Sequence, residues 1–252
     1  MKNRQCLLFI GALLCFLVAW PAIAARASQV VDHSLYGELL KKYVDKDVVD
    51  YRGFKKEEKT LDRYLKVLEA TDTKALSRNE QFAFYINAYN AWTIKLILSA
   101  YPKVKSIKDL GSLFKSPWKK KLCRIDGKVL SLDNIEHDIL RPRFRDPRVH
   151  FAINCASKGC PPLRSDPYEG AVLNRQLNEM ASAFINDPRY NRLEENTLYV
   201  SKIFNWFAAD FKKDIIGFFL KYAKGDMRNQ LKANKGKIAI RYLDYDWSLN
   251  GK

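Results

Sequence analysis

The apolar and polar positions divide the chain into short amphipathic pieces around one helix that is apolar almost all round. Ser77 and Glu80 stand at capping-box spacing, and they open a helix predicted over residues 79–100 and stopped by Pro102. Phe82, Phe84, Tyr85, Ile86, Tyr89, Trp92, Ile94, Ile97 and Leu98 lie on every side of it, the pattern of a helix surrounded by protein. Before it, Asp32 can cap a helix carrying Leu35, Leu39, Leu40 and Tyr43, residues 48–51 read as a strand, and residues 57–70 form an amphipathic helix with Leu61, Tyr64, Leu65 and Leu68 on one side. After it, two short runs flank Asp126-Gly127, a hairpin signal. Residues 131–140 give a capped helix with Leu132, Ile135, Ile139 and Leu140 as its stripe. Val149, Phe151 and Ile153 alternate with His150, Ala152 and Asn154, the period of a strand, which ends where Ala-Ser-Lys-Gly and Pro-Pro follow. Helices over 168–186, 201–222 and after Gly225, a hairpin over 190–201, and a strand over 238–242 complete the body. The aromatic residues of 243–250 predict a tail packed onto it.

These elements predict an α+β fold: a small, mainly antiparallel sheet packed against a long central helix and flanking helices, in a single domain over residues 28–252. Residues 1–27 have another character. Lys2 and Arg4 precede an apolar run from Cys6 to about Trp20, and small residues follow through Ala24 and Ala27, as in a secretory signal peptide. The run is short for a spanning helix, so the mature chain is expected to be exported, periplasmic or secreted, with no transmembrane segment.

Export changes how charge and cysteines are read. Losing Lys2, Arg4 and Arg26 takes the formal net charge from +16 to +13. On an exported protein such a surface suits an anionic envelope component, or a small acidic or peptidic substrate, and no nucleic acid is expected. Cys6 and Cys15 leave with the leader, and Cys123, Cys155 and Cys160 stay. Three is odd, so at least one thiol has no partner within the chain.

The candidate chemistry gathers at residues 148–162, where a histidine, two cysteines, an asparagine and a Gly/Pro turn fall together. Cys155 at the mouth of the turn can act as a nucleophile, with His150 as base and Glu136 or His137 as the group that holds the base. On a regular strand His150 and Cys155 would face opposite sides, so either the strand breaks before Cys155 or His137 is the base. A Cys155–Cys160 disulfide is the second reading, since the two bracket only four residues. A tetrahedral metal site using both cysteines and a histidine is the third, and the spacing disfavours it, so neither metal nor cofactor is expected. Asn87 and Asn90 lie three apart on the apolar helix, where they either brace a neighbouring loop or line a cleft and bind substrate. Arg143, Arg145 and Arg148 crowd the segment before His150 and can clamp a carboxylate or phosphate. His33 falls near the mature start, which leaves His137 and His150 as the histidines of the body.

Four motifs together carry a resemblance: residues 79–91 (NEQFAFYINAYNA), 130–137 (LSLDNIEH), 148–161 (RVHFAINCASKGCP) and 245–250 (YDWSLN). From about residue 35 to the end the chain resembles the family called domain of unknown function 547. The resemblance implies that the motifs form one unit and brings no established activity. Papain- and transglutaminase-like folds offer an analogy for a Cys–His pair, but both core histidines here precede Cys155. The expected function is a thiol-dependent hydrolase or acyltransferase acting on an amide or ester in the cell envelope. The alternative is a non-enzymatic binding module stapled by Cys155–Cys160.

Overall fold

A computed structural model describes residues 29–112 and 115–251; the expected signal peptide at 1–27 lies outside the described residues. Among the described residues no helix is long and apolar enough to cross a membrane.

Helix α1 (Ser34–Tyr43) is followed by the two-residue strands β1 (Val44–Asp45) and β2 (Val48–Val49) and by α2 (Tyr51–Lys56) and α3 (Glu58–Ala70). The stripe Leu61, Tyr64, Leu65 and Leu68 buries α3 as its period requires. The all-round apolar helix is α4 (Arg78–Leu98), and nearly all its side chains from Phe82 onward are buried. Ser77 caps it, its hydroxyl accepting the Glu80 N–H at 3.3 Å. Glu80 does not return the bond that would complete a capping box. Its carboxylate accepts instead from the Gly170 and Ala171 amides, and it approaches Gly170 so closely that a Cβ there would have no room.

The two asparagines of α4 fasten chain to the helix. Asn87 donates to the Tyr168 carbonyl at 2.7 Å and accepts the Tyr168 N–H at 2.9 Å. Asn90 donates to the Ala152 carbonyl at 2.9 Å and accepts the Asn154 N–H at 2.8 Å. Each side chain thus copies the two-bond exchange of a β-ladder, holding one loop residue by both backbone groups or two by one each. Asn87 and Asn90 are both buried with their amides committed to backbone, the bracing arrangement of the two that the sequence leaves open. Asn90→Ala would leave a buried carbonyl and a buried N–H unpaired, at about 1–3 kcal/mol each. We expect the urea midpoint of this variant to fall by the equivalent of about 3 kcal/mol; a change below about 0.5 kcal/mol would contradict the bracing role.

Strands β3 (Cys123–Ile125) and β4 (Lys128–Leu130) form the expected hairpin, with Asp126 and Gly127 both at positive φ as a two-residue primed turn needs. The next helix, α5, runs from Asn134 to Phe144 with wide i→i+5 winding. It continues four residues beyond the expected end, through Pro142, and stops at Arg145 in the left-handed conformation. Wide turns of this kind recur at functional sites.

No strand forms over 149–154. Pro147–Phe151 is a tight 3-10 turn, with Pro147 at its start and Asp146 accepting the Arg148 N–H at 3.0 Å. The alternation misled because every residue from Val149 to Asn154 is buried, polar ones included. Period two reports a strand only when one face meets water.

The rest comprises α6 (Leu173–Ile185), β5 (Arg192–Glu194), β6 (Thr197–Val200), α7 (Ile203–Trp206), α8 (Ile215–Tyr222), α9 (Gly225–Ala233) and β7 (Ala239–Tyr242). The α+β class therefore holds, and the strands fall into three small sheets: β1–β2, β3–β4 and β5–β6–β7. All pairings are antiparallel except β6–β7, which is parallel. The C-terminal segment packs back as its aromatics predict. Asp246 and Ser248 carbonyls accept the Gly159 and Lys158 amides at 2.8 and 2.9 Å, which fixes the turn after Cys155.

Candidate active site

A cavity of about 230 Å³ opens between α5, the Pro147–Phe151 turn, α7 and the C-terminal segment. Glu136, His137, His150 and Cys155, the four side chains picked out for catalysis from sequence, all line it. Trp118, Trp206, Phe207, Tyr245 and Trp247 form an aromatic wall. The 3-10 turn makes the convergence of His150 and Cys155 possible, since the parity of a strand no longer applies.

His150 is almost fully buried, with its ring stacked on Phe207 at 3.9 Å between centroids. Its Nε2 lies 2.7 Å from Asp210 Oδ2. The His150 hydrogen bond, with help from Arg141, holds the Asp210 carboxyl well below the usual carboxylate range. Burial outweighs Asp210 at the imidazole and lowers its pKa. Because an ionised carboxylate can only accept, the neutral form of the ring carries its proton on Nε2. Nδ1 keeps its lone pair and makes no hydrogen bond among the described residues. This is the tautomer a general base requires.

The carboxylate bonded to the His150 ring is that of Asp210, where the sequence pointed to Glu136 or His137. Arg141 ties the group together: Nε and Nη2 donate to Asp210 at 2.6 and 3.2 Å, and Nη1 donates to His137 Nδ1 at 2.8 Å. Burial and this guanidinium lower the His137 pKa. Glu136 has another environment. Burial pushes its carboxyl up to about 7, and Arg141 and the Tyr89 phenol only partly offset that.

The arginines expected to anchor substrate are elsewhere. Arg148 is bound to Asp146 at 2.5 Å and to the side chains of Asn174 and Asn178, both at 2.7 Å. Arg145 donates to the Pro142 carbonyl at the end of α5, and Arg143 is exposed beside Phe144. None of the three lines the cavity; the arginine bonded to His137 and Asp210 is Arg141. His33 also departs from expectation. It is buried in the body, bonded to Tyr64 Oη at 2.7 Å and Asn87 at 3.2 Å, and burial brings its pKa down to about 4.

Cys155 and Cys160 are joined as a disulfide, with their Cα atoms 6.3 Å apart. Cys123 is a buried thiol, unpaired among the described residues, whose pKa burial raises. Among the described residues no group of three or more His, Cys, Asp or Glu side chains could hold a metal ion.

The model of the family described as protein of unknown function, DUF547, matches residues 73–185. The chain resembles that family. The matched stretch of this DUF547-like chain includes Asn87, Asn90, Glu136, His137, Arg141, His150 and the disulfide, and it stops short of Asp210 and Tyr245. No curated protein and no solved structure matches the chain.

Proposed function

We propose that the cavity is the active site of an exported thiol-dependent hydrolase or acyltransferase acting on an amide or ester in the cell envelope. The observation that carries this reading is that His150, oriented by Asp210 with Nδ1 free, lines the same cavity as Cys155. In the reduced chain, Nδ1 takes the Cys155 proton and the thiolate attacks the carbonyl carbon. The resulting imidazolium, stabilised by Asp210, gives its proton to the departing amine or alcohol as the acyl group passes to sulfur. Water or a second nucleophile then releases the acyl group. Glu136, half-protonated near neutrality, has the right acidity to donate to the developing oxyanion. The aromatic wall suits a peptidic or apolar acyl group, and the basic surface suits an anionic envelope component.

The test is acylation by p-nitrophenyl acetate. The reduced chain is expected to release p-nitrophenol in a burst of about one equivalent per chain, leaving acetyl on Cys155 by peptide mapping. Cys155→Ala should show no burst. A reduced chain no faster than Cys155→Ala removes this reading. The Cys155–Cys160 bond favours a second one, a non-enzymatic binding module whose turn is stapled; that reading predicts no acylation and a large loss of stability on reduction.

A further inference from the structure

A disulfide that lines a cavity can be attacked by any thiol that fits, and here the two sulfurs differ. Cys155 is half-buried and Cys160 is 5% exposed. Cys160 Sγ accepts the Cys155 backbone N–H at 2.9 Å and the Tyr245 hydroxyl at 3.1 Å. The Ser157 hydroxyl donates to Tyr245 Oη at 3.1 Å, so the phenol proton is turned toward sulfur. Burial keeps that phenol protonated. Tyr245 Oη and Ser157 Oγ also lie 3.2 Å from Cys155 Sγ, so the two hydroxyls can serve either sulfur. The backbone amide cannot choose: it is fixed on Cys160. Hydrogen bonds strengthen when the acceptor becomes an anion, so the fixed amide favours Cys160 as the sulfur that leaves, with Tyr245 free to join it there.

We propose that Cys155–Cys160 is an exchange-active disulfide, in which a thiol with an apolar or aromatic body enters the cavity, attacks Cys155 Sγ and expels Cys160 as the thiolate. One S–S bond forms as the other breaks, and the negative charge passes from the incoming thiolate to Cys160. A second thiolate of the same kind then attacks the outer sulfur of the mixed disulfide. The small disulfide leaves, Cys155 is released as a thiolate, and two thiols have been oxidised for one protein disulfide reduced. Trp118, Trp206 and Trp247 supply the surface for the apolar body. This deepens the reading above and rests on the cavity being the site, since reduction is what frees Cys155 to act as a nucleophile.

The experiment treats the folded, oxidised full chain with 2-mercaptoethanol or benzyl mercaptan, quenches with iodoacetamide and maps the products. The mixed disulfide is expected on Cys155 and the alkyl group on Cys160, with benzyl mercaptan the faster by about tenfold at equal thiolate concentration. Tyr245→Phe, checked for folding by thermal melting, should open about tenfold more slowly, as loss of one hydrogen bond to a thiolate implies. Ser157→Ala should slow opening by about threefold and serves if Tyr245→Phe does not fold. A mixed disulfide on Cys160, a bond that opens only in denaturant, or folded variants that both open at the parental rate would overturn the proposal. Exchange is read without an acyl substrate. A chain that exchanges but is not acylated by p-nitrophenyl acetate therefore loses only the hydrolase reading. One that is acylated after reduction in denaturant and refolding, but resists exchange, loses only this one.

Discussion

Asp210→Ala is expected to raise the pH midpoint for alkylation of reduced Cys155 by about two pH units, toward the ordinary thiol value near 8.5. Asp210 accepts three hydrogen bonds, from His150 Nε2 and from Arg141 Nε and Nη2. Without it the imidazole is free to move its proton to Nδ1, where it can no longer act as base. The Arg141 charge, no longer balanced, then opposes any imidazolium that forms. Both effects remove the cation that would hold Cys155 as a thiolate. The midpoint is a sharper readout than the rate, because a thiolate of lower pKa is also intrinsically less nucleophilic and the two effects offset. The variant should also lose about 2 kcal/mol of stability, from unpaired donors in a partly buried place. A fall in melting temperature with an unchanged midpoint would make Asp210 a structural ligand of His150 and Arg141 and nothing more.

How far this arrangement was legible in the sequence depends on what kind of signal each residue gives. Helix α4 was legible because its apolar pattern is dense and Ser77 marks its start, and the β3–β4 hairpin because Asp126-Gly127 suits few other conformations. Glu136, His137, His150 and Cys155 stood out as polar or reactive residues inside apolar runs, which a core does not accept without reason. Asp210 gave no such signal. It lies 60 residues beyond His150, a single acid in the run Trp206-Phe207-Ala208-Ala209-Asp210-Phe211, and only tertiary structure brings it to the imidazole. Charge density gave a signal of another kind. It pointed to Arg143, Arg145 and Arg148, whereas the arginine bonded to His137 and Asp210 is Arg141, which lies four residues after His137 and shares a helix face with it. The turn at 147–151 was misread because complete burial erases the contrast on which periodicity depends.

Glu136→Gln should make the protein more stable above neutrality by on the order of 3 kcal/mol, while leaving stability nearly unchanged in acid. Burial holds the Glu136 carboxyl at about 7 in the folded chain, against an ordinary value of 4.5. Between those two values the unfolded chain has released the proton and the folded chain has not. The folded state then binds more protons, so its stability falls as pH rises. The contribution of the neutral carboxyl is complete below 4.5, declines up to about 7, and is lost above it. Glutamine is neutral throughout and nearly isosteric, so it does not carry this decline. Urea unfolding of both chains at about pH 4 and pH 8 measures it; a difference in stability that is the same at both would mean that Glu136 is ionised in the fold and that its burial is compensated. The same substitution is expected to slow acylation by p-nitrophenyl acetate, because an amide cannot pass a proton to the oxyanion. A change that stabilises the fold and weakens the chemistry is the behaviour of a residue kept for function in a place that disfavours its charge. A purely structural carboxyl would have been better replaced by an amide.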